Sequence, residues 1–322
     1  MASGERVYRT SHELEIGAPA GVVYGLIADA ERWPLFLPGT VHVEVLEFDG
    51  CEERLRVWAA AHGTTHCWTS RRVLDAAERR ISFRYEGRSG PVRAIDGVWR
   101  VEERGTAACR LVLTHGFTVT ADAHGGAAPT VGAVDSGIRA ALERLRSPAE
   151  RWAELDGLVL AFEDMTRVKG PAELVYDFLY RVGEWPDVVP HVARVELTED
   201  EPGVQRLTLD THDTDGALRS TTSVRLCFPH AGRIVHTDTA TSALVAARTC
   251  EWQIVPDTRG VSVVCRQAVV VRDEAVEQVL GPGTGLTEAR RLLREDFGRH
   301  ALAVLDLARA RAEQAVRTIH LL

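Results

Sequence analysis

The sequence predicts an α+β fold made twice over: two domains, each a bent antiparallel sheet around a long C-terminal helix. Three observations carry this. The chain repeats itself at a fixed offset, each half shows about six short strand-like segments after one short helix, and each half closes with a long helical stretch.

"APAGVVYGLIADAERWPLFLPGTVHVEVLE" starts at Ala18 and "GPAELVYDFLYRVGEWPDVVPHVARVELTE" at Gly170, an ungapped match at an offset of 152 residues. Pro19 meets Pro171, Val23-Tyr24 meets Val175-Tyr176, Trp33-Pro34 meets Trp185-Pro186, and Pro38 meets Pro190. Further on the offset slips by one, so that Trp99 matches Trp252. The seam falls between about Arg151 and Phe162, giving domains 1–156 and 157–322.

Within each half the elements follow in order. A strand ends near Ile16, or Val168 in the second half. Pro19 and Pro171 suit the first turn of a helix, where a missing N–H costs nothing. Val22, Val23, Leu26 and Ile27 give that helix an apolar stripe, and Trp33-Pro34 is expected to end it. Strands are expected near 41–49, 52–60, 64–74, 80–86, 91–102 and 108–120, with turns at "FDG", "ERR", "RSG" and "ERG". A long helix follows from about Asp135 to Leu155, and the second half ends in the helical "LTEARRLLREDFGRHALAVLDLARARAEQAV". A sheet wrapped on a helix tends to leave a cavity between them.

Composition is that of an ordinary soluble chain, 45% hydrophobic and 26% charged. A net charge of -8 argues against nucleic acid as partner. The six cysteines form no C-x-x-C pair, which suits reduced thiols in a cytoplasm. No signal-peptide core or membrane-length apolar run is present. His62 and His66 lie four apart without further evident ligands, so no metal is expected.

The order strand, helix, "ADAERWPLFLP", six strands, long helix resembles the START-like helix-grip fold of polyketide cyclases and lipid-transfer proteins. "WTSRR" at Trp68–Arg72 resembles the W-x-S-x-R strand of the aromatase/cyclases of bacterial type II polyketide synthases, and the tandem arrangement looks like their di-domain class. The resemblance implies a cofactor-free cytoplasmic enzyme of antibiotic (polyketide) biosynthesis. Its substrate would be a poly-β-ketone on the phosphopantetheine of an acyl carrier protein, within a synthase of several subunits. The activity implied is first-ring aldol closure and the dehydrations that make the ring aromatic. The family's pocket residues fall on Trp68, Ser70 and Arg72, and a pocket histidine of some members on His115. A pocket tyrosine of some single-domain members falls on Thr40, which has no phenol. In the second half Ser223 and Arg225 keep the serine and arginine, Thr221 replaces the tryptophan, and Arg266 or Gln267 stands at the histidine position.

Alternation along the strand puts Trp68, Ser70 and Arg72 on one face and Arg71 on the other. An inward arginine could stabilise the oxyanions that develop in aldol closure, at the cost of burying a charge unless it is paired. Ser70 could hold a carbonyl, and His115 could act as acid or base. Trp68, Trp33, Trp99 and Phe117 would wall the pocket. Plainer readings stand beside these. Arg72 could be a structural ion-paired arginine, His115 a satisfied core histidine, and Trp33 and Trp99, repeated in both halves, simply core. Asp135 reads as a helix N-cap or a residue at the pocket mouth. The first half, which keeps tryptophan and histidine together, is the expected catalytic half, and the second a structural domain or secondary pocket. A non-enzymatic lipid or polyketide carrier and a synthase scaffold with collapsed cavities are the alternatives.

Overall fold

The structure is a computed structural model that describes residues 6–37, 39–61, 63–87, 92–119, 127–212 and 216–319. Pro38, His62 and the turn at 88–90 lie outside the described residues. The chain divides into two compact units, Met1–Asp156 and Gly157–Leu322.

The first unit runs β1 (Arg6–Ile16), α1 (Ala20–Ala28), α2 (Trp33–Phe36), β2 (Thr40–Phe48), β3 (Glu52–Ala61), β4 (Thr64–Asp75), β5 (Arg80–Glu86), β6 (Val92–Glu103), β7 (Cys109–Val119) and α3 (Ala127–Glu150). After α4 (Trp152–Leu158) the order repeats: β8 (Val159–Val168), α5 (Ala172–Tyr180), α6 (Trp185–Val188), β9 (Val192–Glu201), β10 (Val204–His212), β11 (Leu218–Phe228), β12 (Arg233–Ala240), β13 (Val245–Asp257) and β14 (Gly260–Val271). α7 (Val276–Leu280) and α8 (Leu286–Ile319) close the second unit.

Each unit is one seven-stranded antiparallel sheet, in the orders β1-β7-β6-β5-β4-β3-β2 and β8-β14-β13-β12-β11-β10-β9. This is the α+β tandem helix-grip architecture. The first strand of each half pairs with the last, which leaves β1 and β2, or β8 and β9, at the sheet edges. The long helix covers one face. Leu142, Leu145 and Ala149 of α3 pack with Leu14, Ile16, Val23, Ile27 and Leu111, and Ala301, Leu305, Ala308 and Ala312 of α8 with Val175, Leu179, Ile234 and Val263. Equivalent glutamates pin the helix ends. Glu150 accepts the Gly17 N–H and Glu313 accepts the Lys169 N–H, both at 3.0 Å.

Two expectations are corrected. Trp33-Pro34 does not end the first helix. α1 stops at Ala28, and Trp33, at φ -53 and ψ -38, opens the new turn α2 with Pro34 in its first positions. Proline is welcome there because the N–H it lacks has no intrahelical partner. Asp135 is not an N-cap either, since α3 begins eight residues earlier, at Ala127.

Candidate functional site

Register fixes which side chains share a line across each sheet. In the first domain Thr10 pairs with His115, His115 with Gly97, Gly97 with Phe83, Phe83 with Arg72, and Arg72 with Glu53. Directly paired residues point to the same face, so these six form one row on the helix-covered face. The second-domain row, in the same order, is Phe162, Gln267, Cys250, His236, Arg225 and Gln205. The histidine position is therefore Gln267, not Arg266.

At one end of the row Arg72 is 4% exposed and Glu53 8% exposed. The Arg72 Nε–H donates to Glu53, Nη1 donates to the Ile27 carbonyl at 2.8 Å, and Nη2 donates to the Ala28 carbonyl at 2.6 Å. The guanidinium lies 5.0 Å from the Trp33 ring, and the Trp33 indole donates to the Leu26 carbonyl at 3.2 Å. Four carbonyls at a helix end lack intrahelical donors, and this pair of side chains supplies three of them. Burial lowers the Arg72 pKa and the Glu53 charge opposes the shift. The second domain repeats the device without the direct carboxylate. Arg225 donates to the Leu179 carbonyl at 2.6 Å and to Gln205 Oε1 at 2.8 Å. Gln205 in turn donates to Glu199 at 2.9 Å, and the Trp185 indole donates to the Phe178 carbonyl at 3.2 Å.

At the other end of the first-domain row two histidines, a threonine and an aspartate come together. His115 Nε2 is 2.6 Å from Thr10 Oγ1 and 3.4 Å from His12 Nε2. His12 Nε2 is 3.3 Å from the Asp135 carboxylate, which is a third exposed. Burial first, and the neighbouring His12 second, push the His115 pKa down, so its imidazole is neutral near pH 7. The His12 Nε2 thus stands within 3.4 Å of the Thr10 hydroxyl, the His115 ring and the Asp135 carboxylate together. Phe117 stacks on His115 with centroids 5.7 Å apart.

Three strand spacings, about 14 Å of sheet, separate Arg72 from His115. The Phe83 ring fills the gap, so close over Gly97 that a Cβ there would sit 2.6 Å from it. Ser70 is buried and lies one pair along from Arg72, opposite Tyr85. Trp68 stacks on Tyr85 at 5.4 Å, and Trp99 tilts against Phe83 at 6.5 Å. The structure thus groups Trp68 and Ser70 with Tyr85, His115 with Phe117, and Arg72 with Trp33. His66 is exposed and bonded to Thr64 at 2.9 Å, and no metal-ligand cluster occurs among the described residues.

In the second domain Ser223 and Arg225 line a cavity with an empty volume of about 1100 Å3, part of it open to solvent. Trp185, Trp252, Phe297 and Leu209 supply apolar wall, and His236, Asp238, Arg248 and Gln267 supply polar wall. Arg248 donates to Asp238 at 3.3 Å and to Gln267 at 2.8 Å, with its guanidinium 4.3 Å from the Phe297 ring.

Sequence reasoning passed over Thr10, His12 and Glu53. Two signals were available. His12 alternates with the apolar Leu14 and Ile16, and Glu53 with Leu55 and Val57, so each polar group stands on an inward phase.

No described helix is long and apolar enough to cross a membrane. The family model described as "Polyketide cyclase / dehydrase and lipid transport" matches residues 16–146 and 168–283. The chain is 34% identical over 96% of its length to the granaticin polyketide synthase bifunctional cyclase/dehydratase of Streptomyces violaceoruber, covering 95% of that protein. It is 36% identical over 96% of its length to the actinorhodin counterpart of Streptomyces coelicolor, covering 98% of that protein. Among solved structures it resembles the di-domain ARO/CYC BexL of the BE-7585A biosynthetic pathway, with TM-score 0.86, 37% identity, and coverage of 95% of this chain and 99% of that one. For StfQ of the steffimycin pathway, also a di-domain ARO/CYC, the TM-score is 0.83, the identity 29%, and the coverage 95% and 99%. A match in both halves, at this length and identity, places the chain in the polyketide cyclase/dehydrase and lipid transport family, as a two-domain member of the cyclase/dehydratase kind.

Proposed function

We propose that the protein is an aromatase/cyclase of a type II polyketide synthase. It takes a poly-β-ketone held on an acyl carrier protein, closes the first ring by aldol addition, and removes water to make that ring aromatic. It works in the cytoplasm beside the other synthase subunits. The observation that carries this reading is the His115–Thr10–His12–Asp135 cluster, its two histidines buried, on the inward face of a family member whose relatives are named cyclase/dehydratases. Removing a proton between two carbonyls needs a neutral base that can discharge its proton, and general acid–base groups supply about 10²–10⁴ in rate.

In this reading His115 is the acid–base group of the first domain. Ser70 offers a hydroxyl to a carbonyl oxygen, and Trp68 with Tyr85 forms a flat wall for the nascent ring. Arg72 is a positioning residue, because its charge is matched by Glu53 and its donors hold the end of α1 over Trp33. A buried neutral imidazole beside a second histidine and a carboxylate favours an enzyme over a carrier, and the open second cavity argues against a scaffold with collapsed cavities.

The test is reconstitution with a minimal synthase, carrier protein and ketoreductase, comparing products with and without the protein. The wild type should divert shunt products into one aromatic ring pattern, and His115→Ala should restore the shunt products. A product spectrum unchanged by the wild type would overturn the reading. For Arg72, the double variant Arg72→Met with Glu53→Leu removes both charges at once, a change that is often neutral or stabilising. A folded double variant that keeps correct ring closure supports positioning. One that is folded but gives only shunt products assigns the guanidinium to the chemistry.

A further inference from the structure

The second-domain cavity holds titratable groups that have no counterpart in the first domain. His191, in the turn between α6 and β9, stacks face to face on His300 of α8, with centroids 4.2 Å apart and planes within 6°. Asp296, one turn before His300, has its Oδ1 3.8 Å from His300 Nε2 and accepts a bond from Arg299 at 2.8 Å. All three of His191, His300 and Asp296 line the cavity. At the repeat offset of 152 the position of His191 is Gly39 in the first domain. The equivalent helix-pinning bonds from Glu150 and Glu313 set the helix offset, and they put Gly137 opposite His300. Both imidazoles thus stand where the first half has glycine.

We propose that this cavity is a second acid–base site, in which the His191–His300 pair with Asp296 removes water from a β-hydroxy ketone in an oxygen-rich, ring-bearing substrate. The choice of substrate class rests on the function proposed above; the site itself rests on the geometry. The pair takes the proton from the carbon beside the ketone, the electrons of that C–H bond form the C=C bond, and the C–O bond at the β-carbon breaks. The same proton is returned to the departing hydroxyl, which leaves as water. No oxidant, metal or co-reactant is needed.

Three features suit the pair to this step. Stacked at 4.2 Å, the two rings cannot both be charged at low cost, so they hold one proton at most and release it readily. Burial first, and His300 second, push His191 down to about 4, while burial first, opposed by Asp296 and aided by Arg299, Arg248 and Arg219, lowers His300. The pair is therefore uncharged near neutrality and ready to accept. Arg248, also in the cavity lining, donates through Nη1 to Asp238 and through Nε and Nη2 to Gln267, and each terminal nitrogen carries a second N–H of the kind that binds a ketone oxygen. Trp185, Trp252 and Phe297 present flat apolar area to a ring.

The experiment uses the intact protein carrying His191→Gln, His300→Gln or Asp296→Asn. The probe is a hydroxytetralone with its hydroxyl β to the ketone, which loses water to give a fluorescent naphthol. Wild type should speed naphthol formation, and either histidine variant should cut that gain by about 10²-fold or more, with Asp296→Asn intermediate. In the reconstituted synthase the same histidine variants should still close the first ring but accumulate a product heavier by one water. Variants as active as wild type in both assays overturn this site and leave the proposed function standing. A wild type that changes no product in the synthase assay overturns the proposed function, while the hydroxytetralone assay still decides the site. Should a variant fail to fold, the naphthol is titrated into wild type and the histidine ring signals are followed by NMR. Movement of the His191 and His300 signals supports the site, and signals that stay put overturn it.

Discussion

Compared row by row, the two domains keep one end and change the other. In both, an arginine on the fourth strand and a tryptophan after the first helix close off that helix's last carbonyls. Away from that end the rows part. His115, Gly97 and Phe83 of the first domain become Gln267, Cys250 and His236 of the second. Even the strand-to-helix polar link changes sign: His12 faces Asp135 in the first domain, whereas Asp164 faces Arg294 at 2.7 Å in the second. Features retained after duplication are those the fold needs to seat its helix. Features that diverged are the ones free to take up chemistry, and they sit near β1 and β7 in one domain and near the start of β9 in the other.

Breaking the shared end should give the largest effect and should separate the domains. Arg72→Ala strands the Glu53 carboxylate in the interior, and losing one partner of a buried ion pair costs about 3–5 kcal/mol. Arg225→Ala strands only the neutral Gln205 and a carbonyl, which costs about 1–3 kcal/mol. Urea unfolding of both variants measures this, and an Arg225→Ala loss as large as that of Arg72→Ala would refute the distinction. Next in size is Gly97→Ala, whose new Cβ meets Phe83 at 2.6 Å and the Thr114 carbonyl at 2.8 Å. Overpacking of this kind costs about 1–3 kcal/mol, and a displaced Phe83 should appear as a changed near-UV circular dichroism spectrum. Cys250→Ala, at the matching point of the second row, removes a buried sulfur that lies 3.5 Å from the Cys265 sulfur and should cost about 1 kcal/mol.

The smallest effect is one of pH. A histidine held neutral by the fold takes its proton only when the chain unfolds. The stability it supplies is whole above pH 6.5 and fades as the pH falls toward its depressed folded value. In the first domain His115 is held neutral in this way. The second has His191, His236 and His300. Between pH 6.5 and about 5 the second domain should therefore lose stability faster. Hydrogen exchange of the two sheets at both pH values reads this directly, and equal losses would remove the contrast.

The architecture was legible because it is written in periodicities. The alternation in "HCWTSRRVLD" and the stripe in α1 depend only on residues close in sequence, and the repeat needs only a comparison of the chain with itself. Trp33-Pro34 misled because proline signals both the end of one helix and the start of the next, and only the geometry of Trp33 decides between them. The site was legible in part. Arg72 was readable as inward, but its partner Glu53 lies nineteen residues away and is brought opposite by strand register. His191 and His300 were not readable at all. Neither shows a periodic signal of its own, and they are more than a hundred residues apart until a turn and a helix meet.

The cross-sheet rows have a consequence for how such chains can be recombined. From Glu53 to Arg72 the repeat offset changes from 152 to 153, and from Gly97 to His115 it returns to 152. Both changes fall in hairpin turns, between β3 and β4 and between β6 and β7. No strand gains or loses a residue between them, so no side chain has crossed to the opposite face. Each hairpin is therefore an exchangeable cassette. A hybrid domain joined at those turns would inherit intact faces from both parents, and a crossover inside a strand that shifts by one residue would turn the whole strand inside out.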